Sequence, residues 1–154
     1  MSQRSSLRSV CLVVMVAVCA ALPAQADAPV GQYTASMGMV TDNKTGLTWQ
    51  QSEGPELNWS DAKDYCTDLE LNTMTDWRLP TVKELLTLVD LSKTNPSIDT
   101  SVNGFPGTTS TYFWSATPVA GAPGAPSYAW RVNFSNGYTP HDVVTSSYRV
   151  RCVR

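Results

Sequence analysis

The chain is 154 residues long and carries 11 Lys and Arg against 13 Asp and Glu, a formal net charge of −2 at pH 7. This slightly acidic balance argues against nucleic acid as a partner, because proteins that bind nucleic acid present an excess of Lys and Arg to the phosphates. The length suits a single domain with a hydrophobic core of its own.

The first 26 residues have the three parts of a secretory signal peptide. Arg4 and Arg8 form a positive n-region, Val10 to Leu22 form an apolar run, and residues 24–26 read Ala-Gln-Ala, a small-x-small cleavage site. The run is shorter than the roughly 20 apolar residues of a membrane-spanning helix. We therefore expect cleavage after Ala26 and an exported chain, periplasmic or secreted, that is not membrane-embedded. An uncleaved anchor is the alternative.

Cleavage would remove Cys11 and Cys19 and leave Cys66 and Cys152 as the only cysteines. Two cysteines in an exported protein are expected to pair, because oxidising compartments favour disulfides. In the entropic model, a bridge across so long a loop stabilises the folded state by about 4–5 kcal/mol, because it restricts the unfolded chain. Two buried free thiols are the alternative.

Residues 27–37 predict a loose or edge-strand entry into the domain. Residues 40–49 then predict a β-hairpin, in which Gly46 ends a polar turn between two runs of β-forming residues. The first helix is predicted to begin near Trp59, after Asn58 as the N-cap. Apolar residues at helical spacing place Cys66 on the buried face of this helix.

A second helix follows Thr81, which forms a Thr-x-x-Glu capping box with Glu84. Leu85 and Leu88 belong to its apolar stripe, and the Asn95-Pro96 pair ends the helical region by residue 94 at the latest.

The rest of the chain predicts strands. Residues 112–116 form one candidate, and residues 128–134 alternate apolar and polar side chains, as a half-buried strand does. Asn136-Gly137 is a strong hairpin turn signal, and residues 148–154 predict a last strand. Two early helices and a late antiparallel sheet together predict an α+β domain.

Residues 76–85, with the sequence DWRLPTVKEL, are the most distinctive stretch of the chain. Together with matching positions before and after it, the stretch resembles one family, the Lcl C-terminal domain, which is named after the C-terminal domain of collagen-like bacterial adhesins and has long been described as a domain of unknown function. The resemblance covers residues 38–154. We expect a structural role for its motif positions Trp49, Trp77, Arg78, Leu79, Pro80, Thr81, Glu84, Trp114 and Trp130.

The resemblance implies a C-type-lectin-like fold, with two helices packed on a small antiparallel sheet and a disulfide from the first helix to the last strand. Cys66 and Cys152 fit that disulfide. In the collagen-like adhesins the domain is credited with binding sulfated glycans and with trimeric self-association. This chain has no collagen-like Gly-x-y repeat, so trimerisation through a collagen stalk does not carry over, and a homo-oligomer stays open.

A second resemblance points to an enzyme. Residues 78–81 and Glu84 are similar to a segment of the formylglycine-generating enzymes, which work through a pair of active-site cysteines. The two mature cysteines are expected to be bridged and so would not be free for such catalysis. A diverged enzyme of this type is therefore kept as the alternative function. The chain has a single histidine, His141, and no Gly-x-Ser-x-Gly sequence, so we expect no catalytic residues, no metal site and no cofactor.

Four arginines are the candidate ligand-binding residues: Arg131, Arg149, Arg151 and Arg154. Strand alternation directs Arg149 and Arg151 to the same side, where guanidinium groups could hold sulfate, carboxylate or phosphate. Pairing with surface carboxylates is the alternative. The sequence therefore predicts an exported, non-catalytic, adhesin-like binding module for a glycan or a cell-envelope or extracellular protein, with a purely structural envelope protein as a further possibility.

Overall fold

The computed structural model describes residues 29, 31–121 and 126–154, so the predicted signal peptide, residues 1–26, lies outside the described residues. The helices are α1, Trp59–Thr67, and α2, Val82–Leu86. No helix in the described part of the chain has the length and apolar character needed to span a membrane. The described residues form eight strands: β1 Tyr33–Ser36, β2 Met39–Asp42, β3 Thr48–Gln50, β4 Glu56–Leu57, β5 Tyr112–Pro118, β6 Tyr128–Asn133, β7 His141–Val143 and β8 Tyr148–Arg149.

The strands form two sheets rather than the single small sheet that the sequence predicted. The first has the order β1-β2-β3 and is antiparallel throughout. The second has the order β4-β8-β5-β6-β7, and its pairs are antiparallel except for β5 and β8, which run parallel. The α+β class is confirmed in this coarser form, as a mixture of two helices and mainly antiparallel sheets. Strand β1 lies within the predicted entry segment, residues 27–37.

The five-stranded sheet lies between two hydrophobic clusters. The first core contains Phe113 and Val132 of the sheet and Phe134 directly after β6, together with Leu85 of α2. The second core contains Trp114 and other residues of the opposite face together with Ala62 and Cys66 of α1. Because side chains alternate along a strand, β5 sends Phe113 into one core and Trp114 into the other.

The local predictions for the early elements are confirmed. Gly46 adopts a φ of 76° in the β2–β3 turn, and the side chain of Asp42 accepts hydrogen bonds from Lys44 N and Thr45 Oγ1. Helix α1 begins after Asn58, whose Oδ1 accepts from Asp61 N at 3.0 Å. The capping box at the start of α2 is also present. Helix α2 has only five residues because it ends in tight turns after Leu86, well before residue 94.

The predicted last strand, residues 148–154, is wrong in extent. Strand β8 comprises Tyr148–Arg149, and farther along Val153 bridges both Trp49 and Arg78. Residues 150–153 are all fully buried, because Val150 and Cys152 of this C-terminal segment belong to the second core and Val153 belongs to the first. A segment covered on both faces cannot alternate between buried and exposed positions, as a strand with one face in solvent does.

The predicted disulfide between Cys66 and Cys152 is confirmed. It joins the buried face of α1 to the C-terminal segment, inside the second core. Cys152 lies beyond β8, so the bridge reaches the C-terminal segment rather than a strand.

Candidate functional site

The sequence predicted that Arg151 faces outward beside Arg149, and this orientation is wrong. Arg151 is fully buried, and its guanidinium donates hydrogen bonds to Gln50 O at 2.9 Å and to Thr108 Oγ1 at 2.8 Å. It also lies 4.6 Å from the ring centroid of Phe105. Desolvation lowers the pKa of Arg151 to about 10, so the guanidinium remains charged at neutral pH. Arg151 therefore connects β3 to the loop before β5 and offers nothing to a ligand.

The other three candidate arginines each have a carboxylate partner. Arg149 Nε lies 3.5 Å from carboxylate oxygens of Glu53 and Glu56. Arg154 Nε lies 2.6 Å from Asp76 Oδ1, and this hydrogen bond lowers the pKa of Asp76. The structure thus supports the alternative that the arginines pair with carboxylates, and it does not bring the four together on one exposed face.

Arg131 is enclosed more tightly than an ordinary surface arginine. Its guanidinium lies 3.8 Å from the ring centroid of Tyr112 and 4.2 Å from that of Tyr148. Arg131 Nη2 is 3.0 Å from Asp142 Oδ2, which also accepts a hydrogen bond of 2.6 Å from the Tyr148 hydroxyl. That hydrogen bond is the main reason that the pKa of Asp142 is lowered, and Arg131 adds to it. The cluster holds β6, β7 and β8 together.

The motif at residues 76–85 forms the corner between the C-terminal segment and α2. Trp77 is buried, and its Nε1 donates to Met74 O at 3.0 Å. Arg78 binds Glu84 through two hydrogen bonds, of 2.8 and 2.6 Å. This interaction is the main cause that lowers the pKa of Glu84 to about 2, with further help from Thr81. Leu79 and Pro80 are buried beside them. The contacts of the motif are internal, as a structural role requires.

Four of the five tryptophans are buried and serve the cores: Trp49, Trp59, Trp77 and Trp114. Trp130 is the exception, since it is only half-buried on β6. It shares its face of the strand with Val132 and Phe134, which are fully buried in the first core. This face of β6 is therefore covered by the first core near Val132 and only partly covered near Trp130.

An aromatic strip, which we define as Tyr128, Trp130 and His141, occupies the partly covered end of this face. The His141 ring centroid lies 5.8 Å from that of Tyr128 and 5.4 Å from that of Trp130, and both contacts are edge-to-face. Tyr128 is 46% exposed, His141 is exposed, and Val143 beside them is 36% exposed. The pairing of Trp130 with His141 and of Tyr128 with Val143 places all four on one face of the sheet, at its β7 edge.

Sequence reasoning missed this strip. The alternation of β6 did place Tyr128 and Trp130 on one face, but no strand was predicted around His141. The Asn136-Gly137 turn was the available signal, because a hairpin there folds residues 141–143 back along β6.

The described residues contain no group of three or more His, Cys, Asp or Glu that could hold a metal ion. The sulfur atoms of Cys66 and Cys152 are bonded to each other, so neither can act as a nucleophile or a thiolate ligand while the bridge is intact.

Comparison with protein families matches residues 38–154 to the model of the Lcl C-terminal domain. The chain belongs to this family. The match begins just before β2 and extends through the C-terminal segment, so it includes both helices, the disulfide, the motif at residues 76–85 and the aromatic strip. In this Lcl C-terminal domain, five of the nine motif positions are buried: Trp49, Trp77, Leu79, Pro80 and Trp114. No curated protein matches the chain significantly.

Proposed function

We propose that this protein is an exported, non-catalytic binding module that recognises a neutral glycan through the aromatic strip. The observation that supports the proposal is the group of three aromatic rings on an uncovered sheet face. Tyr and Trp combine a large apolar face with a polar group, which suits contacts that are partly apolar and partly hydrated. The apolar faces of a pyranose ring offer the complementary surface, and the sugar hydroxyls can remain in water.

The charges of the domain favour a neutral ligand over an anionic one. Arg131, Arg149 and Arg154 are engaged by carboxylates, and Arg151 is buried. An anionic glycan would have to compete with those carboxylates for each guanidinium. The strip itself contains no Lys or Arg.

The disulfide supports an exported location, periplasmic or extracellular, because such bridges persist in oxidising compartments. We further propose that the domain has the C-type-lectin-like fold that its family resemblance implies. The bridge from α1 to the C-terminal segment and the two short helices are consistent with that fold.

Two alternatives lack this support. A diverged enzyme of the formylglycine-generating type would need free thiols, whereas the two cysteines are bridged. A purely structural envelope protein would have no use for a strip that contributes little to the cores, yet Tyr128 leaves nearly half its surface in solvent.

A glycan array of neutral and anionic oligosaccharides, probed with the exported protein, tests the proposal. We expect neutral glycans to bind, and Tyr128→Ala and His141→Ala each to weaken binding by about tenfold or more, as truncation of a central aromatic contact commonly does. Thermal unfolding should change little, because both side chains are exposed.

Tyr138→Ala is the matched control. Tyr138 is an exposed tyrosine, 63% in solvent, but it lies in the β6–β7 connection and not in the strip. This connection packs against the chain after α2, because a Cβ added at the neighbouring Gly137 would be 2.7 Å from Val89 Cγ1. The Tyr138→Ala variant should therefore leave glycan binding unchanged. Equal losses in Tyr128→Ala and Tyr138→Ala, or binding confined to anionic glycans, would contradict the assignment of the strip.

A further inference from the structure

A pocket of about 400 Å³ opens beside the first turn of α1. Its volume falls in the range of about 300–1,000 Å³ that is typical of small-molecule sites. Trp59, Pro126 and Val144 form its apolar wall. It adjoins the second core, whereas Val132 and Phe134, which share a strand face with the aromatic strip, belong to the first core. The pocket is therefore a separate feature from the proposed glycan site.

The indole of Trp59 is a rigid part of this wall. Its Nε1 donates a hydrogen bond of 2.7 Å to Ser115 O on β5, so the polar atom of the ring is already satisfied inside the protein. The backbone N–H of Trp59 donates to Val144 O at 3.0 Å, which fixes the distance between two of the wall residues. A ligand would thus meet a preformed apolar surface, and little ordering would be needed on binding.

Lys63 supplies a positive charge at this wall. Its Nζ lies 3.8 Å from the ring centroid of Trp59, which holds the ammonium over the indole by a cation–π contact. Among the described residues no carboxylate oxygen lies within 4.0 Å of Lys63 Nζ, in contrast to the paired Arg78, Arg131, Arg149 and Arg154. Within the part of the chain that the structure describes, Lys44 and Lys83 likewise have no carboxylate oxygen within 4.0 Å, but they do not line the pocket.

Hydroxyl groups complete the polar side of the pocket. Ser60 and Thr145 line it together with Lys63, and both are exposed enough to donate hydrogen bonds to a bound group. An apolar wall with one unpaired ammonium and two hydroxyls complements a single negative group attached to an apolar body.

We propose that this pocket binds an organic carboxylate with a small apolar body. The carboxylate pairs with Lys63 and accepts hydrogen bonds from the Ser60 and Thr145 hydroxyls, while the apolar part packs against Trp59 and Val144. Such a group can come from a free organic acid or from the C-terminal residue of a peptide, since both present the same carboxylate.

The test titrates benzoate and hexanoate, with benzamide and hexanamide as uncharged counterparts, into the isotope-labelled protein. We expect the acids to shift the amide resonances of Ser60, Lys63 and Thr145, and the amides to bind about tenfold more weakly or not at all. Lys63→Gln should lower the affinity for the acids by about the same factor, and Lys63→Arg should retain it.

Lys83→Gln is the control, because Lys83 is an exposed helical lysine on α2, and it should bind the acids as the wild type does. A short peptide ending in Phe, with a free or an amidated C-terminus, separates the two sources. Binding of the free-terminus peptide alone assigns the pocket to peptide ends, and binding of the small acids assigns it to free acids. No shift with any acid, equal binding of acids and amides, or unchanged binding in Lys63→Gln would overturn the proposal. Binding of neutral glycans to the aromatic strip should be unaffected by Lys63→Gln.

Discussion

At the scale of single residues, Arg151 and Arg149 are neighbours with opposite roles. Arg151 is fully buried, with its guanidinium between the backbone oxygen of Gln50 in β3 and the Thr108 hydroxyl. Arg149 keeps about a third of its side chain in solvent, 32%, and pairs with Glu53 and Glu56 there. Removing a buried donor leaves its acceptors desolvated without a partner, whereas water replaces the partner of an exposed ion pair.

We expect Arg151→Gln to lower the free energy of unfolding by about 3 kcal/mol or more, because buried acceptors on Gln50 and Thr108 lose their donor. Arg149→Gln, the control, should cost less than about 1 kcal/mol, as an exposed pair does. Urea unfolding of the oxidised protein measures both. Equal costs for the two variants would mean that Arg151 does not act as a buried donor.

At the scale of elements, helix α2 depends on its N-terminus. A five-residue helix is too short to be stable by itself, so its capping box and the packing of Leu85 must hold it. Glu84 has two tasks there, because it accepts from Thr81 N at 2.8 Å and also binds Arg78. The pKa of Glu84 is lowered from its usual 4.5 to about 2, so the contribution of Glu84 to stability depends on pH.

The stabilisation from Glu84 should be lost in acid. Because the folded carboxyl has the lower pKa, the unfolded chain takes up the proton first, so the contribution is complete above about pH 4.5 and disappears as the pH falls toward 2. We expect Glu84→Gln to cost about 1 kcal/mol at pH 7, a value reduced for solvent screening, and almost nothing near pH 2. Urea unfolding across this range checks it, with Glu70→Gln as the control. A cost that does not change with pH would show that the charge of Glu84 is irrelevant.

At the scale of the whole molecule, the C-terminal segment connects the parts of the fold. Val153 bridges Trp49 of the three-stranded sheet and Arg78 before α2, and Cys152 is bonded to Cys66 of α1. The bridge closes a loop across 86 positions of sequence, so it restricts a large share of the unfolded chain.

Replacing both cysteines by alanine should lower the free energy of unfolding by about 2–5 kcal/mol, the usual cost of losing a native disulfide. Thermal unfolding of the oxidised wild type, the reduced wild type and the Cys66→Ala/Cys152→Ala variant measures the effect, and the last two should behave alike. Intact mass after alkylation without reductant is the accompanying control. Two alkylated thiols in the native exported protein would contradict the bridge.

The features that the sequence determined by itself are those set by nearby residues or by simple counting. The Asn58 and Thr81 caps and the turn at Gly46 each act within a few positions of the chain, and all three are present. The pairing of Cys66 with Cys152 followed because no other partner was expected in the mature chain. Family membership followed from a long ordered set of motif positions.

The features that only the tertiary structure decided depend on which distant segments become neighbours. Alternation directs Arg151 to the same side as Arg149, but the two cores cover both faces of the C-terminal segment, so Arg151 is buried and donates to Gln50 O, 101 positions away in sequence. The aromatic strip needs β7 folded against β6, and the pocket needs Val144 beside Trp59. Periodicity reports which side chains share a face, whereas the exposure of that face depends on what the rest of the chain packs against it.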